Sequence, residues 1–395
     1  MGIPRILVIN DIARMKEELN RIGVKAAGIE IMAPKGILRV IKLEEVRIPA
    51  ANLLKQDFLS IGGEAAVSRW ALDYSRKATD VLLIGTLYQF GRLLDKMKLQ
   101  PFGLKALSIK IKETLEDFDR KFGVLCCGRF KLPLGKRTLI MGIINMTPDS
   151  FSGDGTDLKS ALKQAEKFTE EGADIIDIGG ESTRPGALPV DKQEESKRVI
   201  PVIMALSKRI KVPISIDTYK ADVAKRAIDA GACIINDIWG LRADSRMAKT
   251  AAKAGVPVVI MHNKKDKKYT DIVSEVISFL KESIDKALDE GVKEGNIIID
   301  PGIGFGKNPA QNIYLLRHLT ELKSLGRPIL VGTSRKSHIG YVLGLPVEER
   351  LEGTAATVAW SIMNGADIVR VHDVKEMTRV ARMIDAIKYA ALEEN

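Results

Sequence analysis

Cysteine is scarce, with three in 395 residues. Cys126 and Cys127 are adjacent and Cys233 lies in an apolar run, so the spacing excludes a disulfide framework and a zinc site and fits a reducing compartment. Aromatic residues amount to 5% and never interleave with a basic patch. The net charge of +10 is spread thinly: residues 1–125 carry 21 basic and 15 acidic side chains, leaving 40 and 36 for the rest. Without a basic arm, nucleic acid is not an expected partner; a mildly basic enzyme acting on anionic small molecules is. No apolar run reaches the roughly 18 residues of a membrane helix, and Met1-Gly2-Ile3-Pro4-Arg5 lacks the apolar core of a signal peptide. A cytoplasmic protein with no membrane partner is expected.

What is present is a rhythm. Eight short apolar segments end in polar residues: 139–145, 174–180, 213–217, 233–237, 257–262, 297–300, 328–332 and 367–372. Near-continuous apolar character marks strands buried on both faces. Amphipathic stretches such as 158–171, 220–230 and 271–290 lie between them, long enough for crossover helices. Eight such units predict a (β/α)8 TIM barrel over residues 126–395; a doubly wound open sheet would rarely use eight parallel strands. Residues 1–125 predict a separate small α/β or α+β domain, with helices at 11–22, 64–76 and 102–122 and strands at 26–32, 37–48 and 80–87. Its function is not legible, and Gly62-Gly63 reads as the lead-in to a helix at Glu64 rather than a ligand loop.

In a TIM barrel the reacting groups sit at the C-terminal strand ends. That rule selects Asn145, Glu181, Asp217, Asn236 with Asp237, His262, Asp300, Lys336, and Arg370 with His372. Asn145 offers an amide oxygen to a hard cation such as Mg²⁺. Asp217, Asn236 and Asp300 can pair with the N–H donors of a planar heterocycle, or form an acid–base pair or metal site, although no histidine accompanies them at ligand spacing. Lys336, Arg370 and His372 bring cations to the strand seven and eight ends, where TIM barrels often bind phosphate. Asp373 with Glu376 fits a helix N-cap. The loop 146–155 has the small and acidic residues of a lid. Gly302–Lys307 does not have P-loop spacing.

The strings GIINMTPDSFSGDG, DIGGESTRPGA, SIDT, IINDI, DPGIGFGK, SRKS and RVHD, in this order from Leu139 to Asp373, resemble the pterin-binding family, in particular its dihydropteroate synthases. The resemblance implies a transferase of folate biosynthesis. Such an enzyme joins 6-hydroxymethyl-7,8-dihydropterin diphosphate to p-aminobenzoate, giving 7,8-dihydropteroate and pyrophosphate. Carried over by motif, Asp217, Asn236, Asp300 and Lys336 hold the pterin. Asn145 with Mg²⁺, Arg370 and His372 hold the diphosphate, and Thr183, Arg184, Pro185, Ser337 and Phe305 frame p-aminobenzoate. Arg370, His372 and Lys336 are the implied catalytic residues, and a homodimer is the implied assembly. Two features depart from the family pattern. The first loop reads Ser152-Gly153-Asp154-Gly155 where SDGG is usual, displacing Asp154 by one, and Lys264–Lys268 forms a basic run read as a solvated loop. A methyltetrahydrofolate:corrinoid methyltransferase needs no SRKS or Arg370/His372, because its substrate lacks a diphosphate; a catalytically silent pterin binder is the other alternative.

Overall fold

The computed structural model describes residues 3–146, 156–181 and 188–390. The chain divides into two compact units, residues 1–119 and 120–395.

The first unit is built on a three-stranded antiparallel sheet of β1 (Leu38–Arg47), β2 (Glu64–Val67) and β3 (Ala78–Thr86), with β3 in the centre. Thr79, Val81, Leu83 and Gly85 alternate onto the buried face of β3. They meet the helices Ile48–Leu59 and Leu87–Met97 in a core around Leu54, Phe58, Phe90, Leu93 and Met97. Glu45, at φ 54°, marks an irregularity where the β1–β3 register shifts between Leu43 and Val46.

Several local expectations for this unit are corrected. Residues 26–32 are a helix, not a strand; Ile29 N–H donates to the Lys25 carbonyl at 3.0 Å, and Ala26-Ala27 favour that state. Residues 64–76 are not a helix: Glu64–Val67 pairs with β3, and only Trp70–Asp73 makes a helical turn. Pairing to an existing strand overrides the helix preference of Glu64-Ala65-Ala66. Gly62-Gly63 turns the chain from helix into that strand. Gly62 needs φ +81°, and a Cβ on Gly63 would sit 2.5 Å from the Phe58 ring.

The second unit opens with the hairpin β4 (Val124–Cys127) and β5 (Phe130–Pro133). Eight parallel strands follow: β6 (Leu139–Asn145), β7 (Ile175–Gly179), β8 (Ile214–Asp217), β9 (Ile234–Asp237), β10 (Val258–Met261), β11 (Ile297–Asp300), β12 (Leu330–Val331) and β13 (Ile368–Val371). Their order is β11-β10-β9-β8-β7-β6-β13-β12, and Ile299 N–H donates to the Pro328 carbonyl at 2.9 Å, joining the two ends. The TIM barrel is therefore closed. Helices such as Lys192–Leu206, Ile272–Asp289 and Val374–Lys388 pack their apolar faces on the outside of the strands. Leu125, Cys127, Leu132 and Leu134 of the hairpin region share a buried cluster with Leu139, Ile175, Ile234, Val259, Ile298, Leu330 and Ile368, the first residues of the strands and their neighbours. The hairpin thus covers the N-terminal floor, and the polar strand ends face the opposite mouth.

Candidate active site

The strands stay apolar until their last residues, and the register then lines up the polar ones. Asn145, Gly179, Asp217 and Asn236 are successive cross-strand partners from β6 to β9, and Asp300 faces Met261 between β10 and β11. Gly179 leaves the row open: a Cβ there would stand 3.7 Å from Asn145 Oδ1 and 3.8 Å from Asp217 Oδ2. Asp217, Asn236 and Asp300 are buried, and Asn145 is half-buried.

One cation ties this row together. Arg370, from β13, donates through Nε to Asp177 Oδ2 and through Nη2 to Asp217 Oδ2, each at 2.6 Å. Asn236 Nδ2 donates to the same Asp177 oxygen at 3.1 Å. Burial alone would lower the Arg370 pKa, but Asp177 and Asp217 outweigh it and hold the guanidinium above its ordinary value. Burial pushes the Asp217 carboxyl up to about 7; Arg370 opposes this, while Asp177 adds to it. Sequence reasoning assigned Asp177 no role. Its signal was a lone carboxylate inside the apolar run Ile175-Ile176-Asp177-Ile178, one strand period below Gly179 and so on the face that points into the barrel.

The loop after β11 supports the other side of the mouth. Asp300 Oδ1 accepts from Gly302 N–H at 2.7 Å, and burial raises its pKa despite nearby Lys336. Lys336 reaches over this loop, donating to the Ile303 carbonyl, with its ammonium 4.7 Å from the Phe305 ring centre. Burial brings the Lys336 pKa down to about 8, with Asp300 opposing. Beneath the loop, Lys307 is 4% exposed and donates to the carbonyls of Gly302 (3.0 Å) and Phe305 (3.1 Å), with His262 Nδ1 at 2.9 Å. Gly302, Gly304 and Gly306 all have positive φ, and a Cβ on Gly302 would fall 1.9 Å from the His262 carbonyl oxygen. Only glycine permits that approach.

His372 Nδ1 lies 3.0 Å from Ser334 Oγ. Burial, then Arg370 and Arg335, hold its pKa down to about 4, so it stands at the mouth as a neutral imidazole rather than a cation. Asp373 makes no N-cap bond; it pairs with Arg335, which is held at φ 57° just before Lys336. Ser337 is exposed at the start of the helix Ser337–Leu343, and Phe305 is half-buried.

Other strand-end suspects face away from this cluster. Glu181 pairs with Lys220 at 2.5 Å and accepts from Tyr219 OH at 3.0 Å. Asp237 closes its own loop through Trp239 and Leu241 N–H at 2.8 and 2.9 Å. His262 is engaged by Lys307, and burial holds it neutral. The basic run is exposed over 265–268, as a solvated loop would be, while Lys264 is only partly exposed: it donates to the Lys268 carbonyl, pairs with Glu275 at 3.2 Å and lies over the Tyr269 ring. Asp154, Thr183, Arg184 and Pro185 lie outside the described residues. Among the described residues no cluster of three or more His, Cys, Asp or Glu side chains could hold a metal ion. No helix among them is long and apolar enough to cross a membrane.

A buried layer of carboxylates and an amide beside two cations suits a flat, N–H-rich ring carrying an anionic tail. Comparison with known proteins agrees. The model of the pterin binding enzymes matches residues 141–372. The dihydropteroate synthase of Clostridium beijerinckii is 53% identical over 263 residues, covering 66% of this chain and 98% of that one. The crystal structure of the Clostridium difficile dihydropteroate synthase in the presence of pteroic acid superposes with a TM-score of 0.65 at 54% identity, over 66% of this chain and all of that one. A longer relative, the probable bifunctional folylpolyglutamate synthase/dihydropteroate synthase of Halobacterium salinarum, is 40% identical over 387 residues, 95% of this chain but 46% of its own length. The chain belongs to the pterin-binding enzymes and, within them, to the dihydropteroate synthase family.

Proposed function

We propose that the chain condenses 6-hydroxymethyl-7,8-dihydropterin diphosphate with p-aminobenzoate, as the family name implies, and that the cluster at the barrel mouth performs the step. The observation that carries this reading is the juxtaposition of buried Asp217, Asn236 and Asp300 with half-buried Lys336 and Arg370. Asp217 and Asp300 accept from the N–H groups of the pterin, Asn236 both donates and accepts, and Lys336 leaves the Ile303 carbonyl for a ring acceptor. Breaking the C–O bond leaves positive charge on the pterin methylene and an anionic diphosphate. The two carboxylates offset the first, while the Arg370 guanidinium and a neutral N–H of His372 stabilise the second. The amine nitrogen of p-aminobenzoate attacks the methylene carbon and releases a proton. By motif, Thr183, Arg184, Pro185 and Ser337 hold the p-aminobenzoate, with Phe305 beside Lys336.

The donor set fits a magnesium ion held mainly by substrate oxygens and water, since the chain offers it the single amide oxygen of Asn145. When bound, Mg²⁺ neutralises charge on the diphosphate. We further assign the chain to a homodimer, on family likeness. Pyrophosphate release from the pterin diphosphate, with and without p-aminobenzoate and Mg²⁺, is the direct test. Full rate is expected only with both, and a Lys336→Ala variant should lose it. Release independent of p-aminobenzoate would sink the synthase reading, and pterin binding without any release would favour a silent binder.

A further inference from the structure

Asp177 has no assigned part in the chemistry, yet it is fully enclosed, with no exposed surface. A fully buried carboxylate is costly unless its partners are strong. Its Oδ2 has two: Arg370 Nε at 2.6 Å and Asn236 Nδ2 at 3.1 Å. One oxygen therefore fixes a side chain proposed for the diphosphate and one proposed for the pterin. Among the described residues, its Oδ1 and the neighbouring Ser215 Oγ, on the cross-strand partner of Asp177, find no hydrogen-bond partner. Within them the acid is held from one side only, by the groups it orients.

The Arg370 contacts divide in an informative way. Nη2 is bound to Asp217, the carboxylate that the pterin must take; Nε is bound to Asp177, which lies one strand period deeper on β7. A pterin arriving at Asp217 competes with Nη2 and leaves the Nε contact intact. The guanidinium then keeps its anchor while an outer N–H is released toward the anionic tail. A planar fork holds its donors on separate nitrogens at fixed directions, whereas an ammonium presents all of them from one nitrogen.

Resting on the synthase reading above, we propose that Asp177 is a positioning residue. It anchors Arg370 by Nε while pterin binding at Asp217 frees Nη2 for the leaving diphosphate, and it orients the Asn236 amide through the same oxygen. Arrival of the ring is thereby coupled to presentation of the cation that stabilises the leaving group.

The test compares Asp177→Asn, Arg370→Lys and Arg370→Ala with the wild type, and adds Asp177→Asn in the Arg370→Ala background. For Asp177→Asn the expected result is a kcat lower by about a hundredfold, the scale of a misplaced reacting group. Inhibition by inorganic pyrophosphate should weaken by about tenfold, the order of one hydrogen bond to a charged group. Affinity for 6-hydroxymethylpterin, which lacks the diphosphate, should change by less than about threefold, through Asn236 alone. In the Arg370→Ala background the Asp177→Asn change should have little further effect on kcat. Arg370→Lys keeps the charge but not the fork, and should lose kcat about as far as Asp177→Asn; this arm decides the matter if Asp177→Asn does not fold. Unchanged kcat and pyrophosphate inhibition in folded Asp177→Asn, or an undiminished effect without Arg370, would overturn the proposal. An inert wild type would instead overturn the synthase reading itself.

Discussion

The two units of this chain are stabilised differently. In the first, the only buried polar side chains among the described residues are the hydroxyls of Thr79 and Ser108. Ion pairs such as Lys16–Glu30 and Lys98–Asp95 lie at its surface, where each contributes little, and Arg39–Asp119 is part-buried. The barrel buries Asp177, Glu195, Asp217, Asp237, Asp300, Lys307 and the histidines His262 and His338; Asp217, Asp237, Asp300 and His262 lie at or just beyond strand ends. A unit with an apolar core can be rebuilt by other apolar residues. A unit with buried charges at one rim holds them against their solvation cost, and that cost marks where the chemistry is.

The largest expected effect breaks the comparison at its centre. Asp217→Ala should lower kcat/KM for the pterin diphosphate by about a thousandfold, since it removes an acceptor from a site built around it. Thr79→Val in the first unit should change it by less than about twofold; steady-state kinetics on both variants decides. Next, Phe58→Ala should destabilise the first unit by about 3–5 kcal/mol, because the ring is fully buried against Gly63 and Gly85. Calorimetry should then show one transition moving and the barrel transition staying; a single shared transition would mean the units unfold together.

Acidity offers a smaller and sharper probe. Asp217 accepts through both oxygens and carries its negative charge only when ionised, which in the free protein requires pH above about 7, and Lys336 carries its charge only below about 8. The kcat/KM profile should therefore be a narrow bell, falling about tenfold per pH unit on each side. A flat profile between pH 6 and 9 would show that neither group's protonation matters. The smallest effect is expected from deleting residues 1–119. Because the Clostridium beijerinckii relative is matched over 98% of its length by 263 residues of this chain, the barrel should fold alone with kinetic constants within about threefold. A tenfold change would give the first unit a share in catalysis.

What the sequence made legible follows the same division. Parallel strands buried on both faces must be apolar until they end, so Ile297–Asp300 was readable to the residue, and Leu139–Asn145 likewise. In the first unit, Ala26–Met32 and Glu64–Val67 exchanged their expected states. Short segments with mixed propensity are decided by whether a partner strand is within reach, which no local pattern carries. The row Asn145, Asp217 and Asn236 could be anticipated from strand ends. Asp177 could not be ranked, because a carboxylate in mid-strand acquires meaning only when Arg370, 193 residues later, closes on it. The neutral state of His372 depends equally on burial, which sequence does not report.

The packed interior of the barrel has a kinetic consequence. Side chains fill the barrel between its strands, and Leu125, Cys127, Leu132 and Leu134 cap its floor, so the polar strand ends are approached from one side only. Asp217 and Asn236, the side chains proposed to hold the pterin, lie furthest along that single route. A molecule held there has to enter before anything placed above it, and it departs only after the upper occupant has gone or has become bonded to it. An order of arrival and release thus follows from a closed end that no substrate touches.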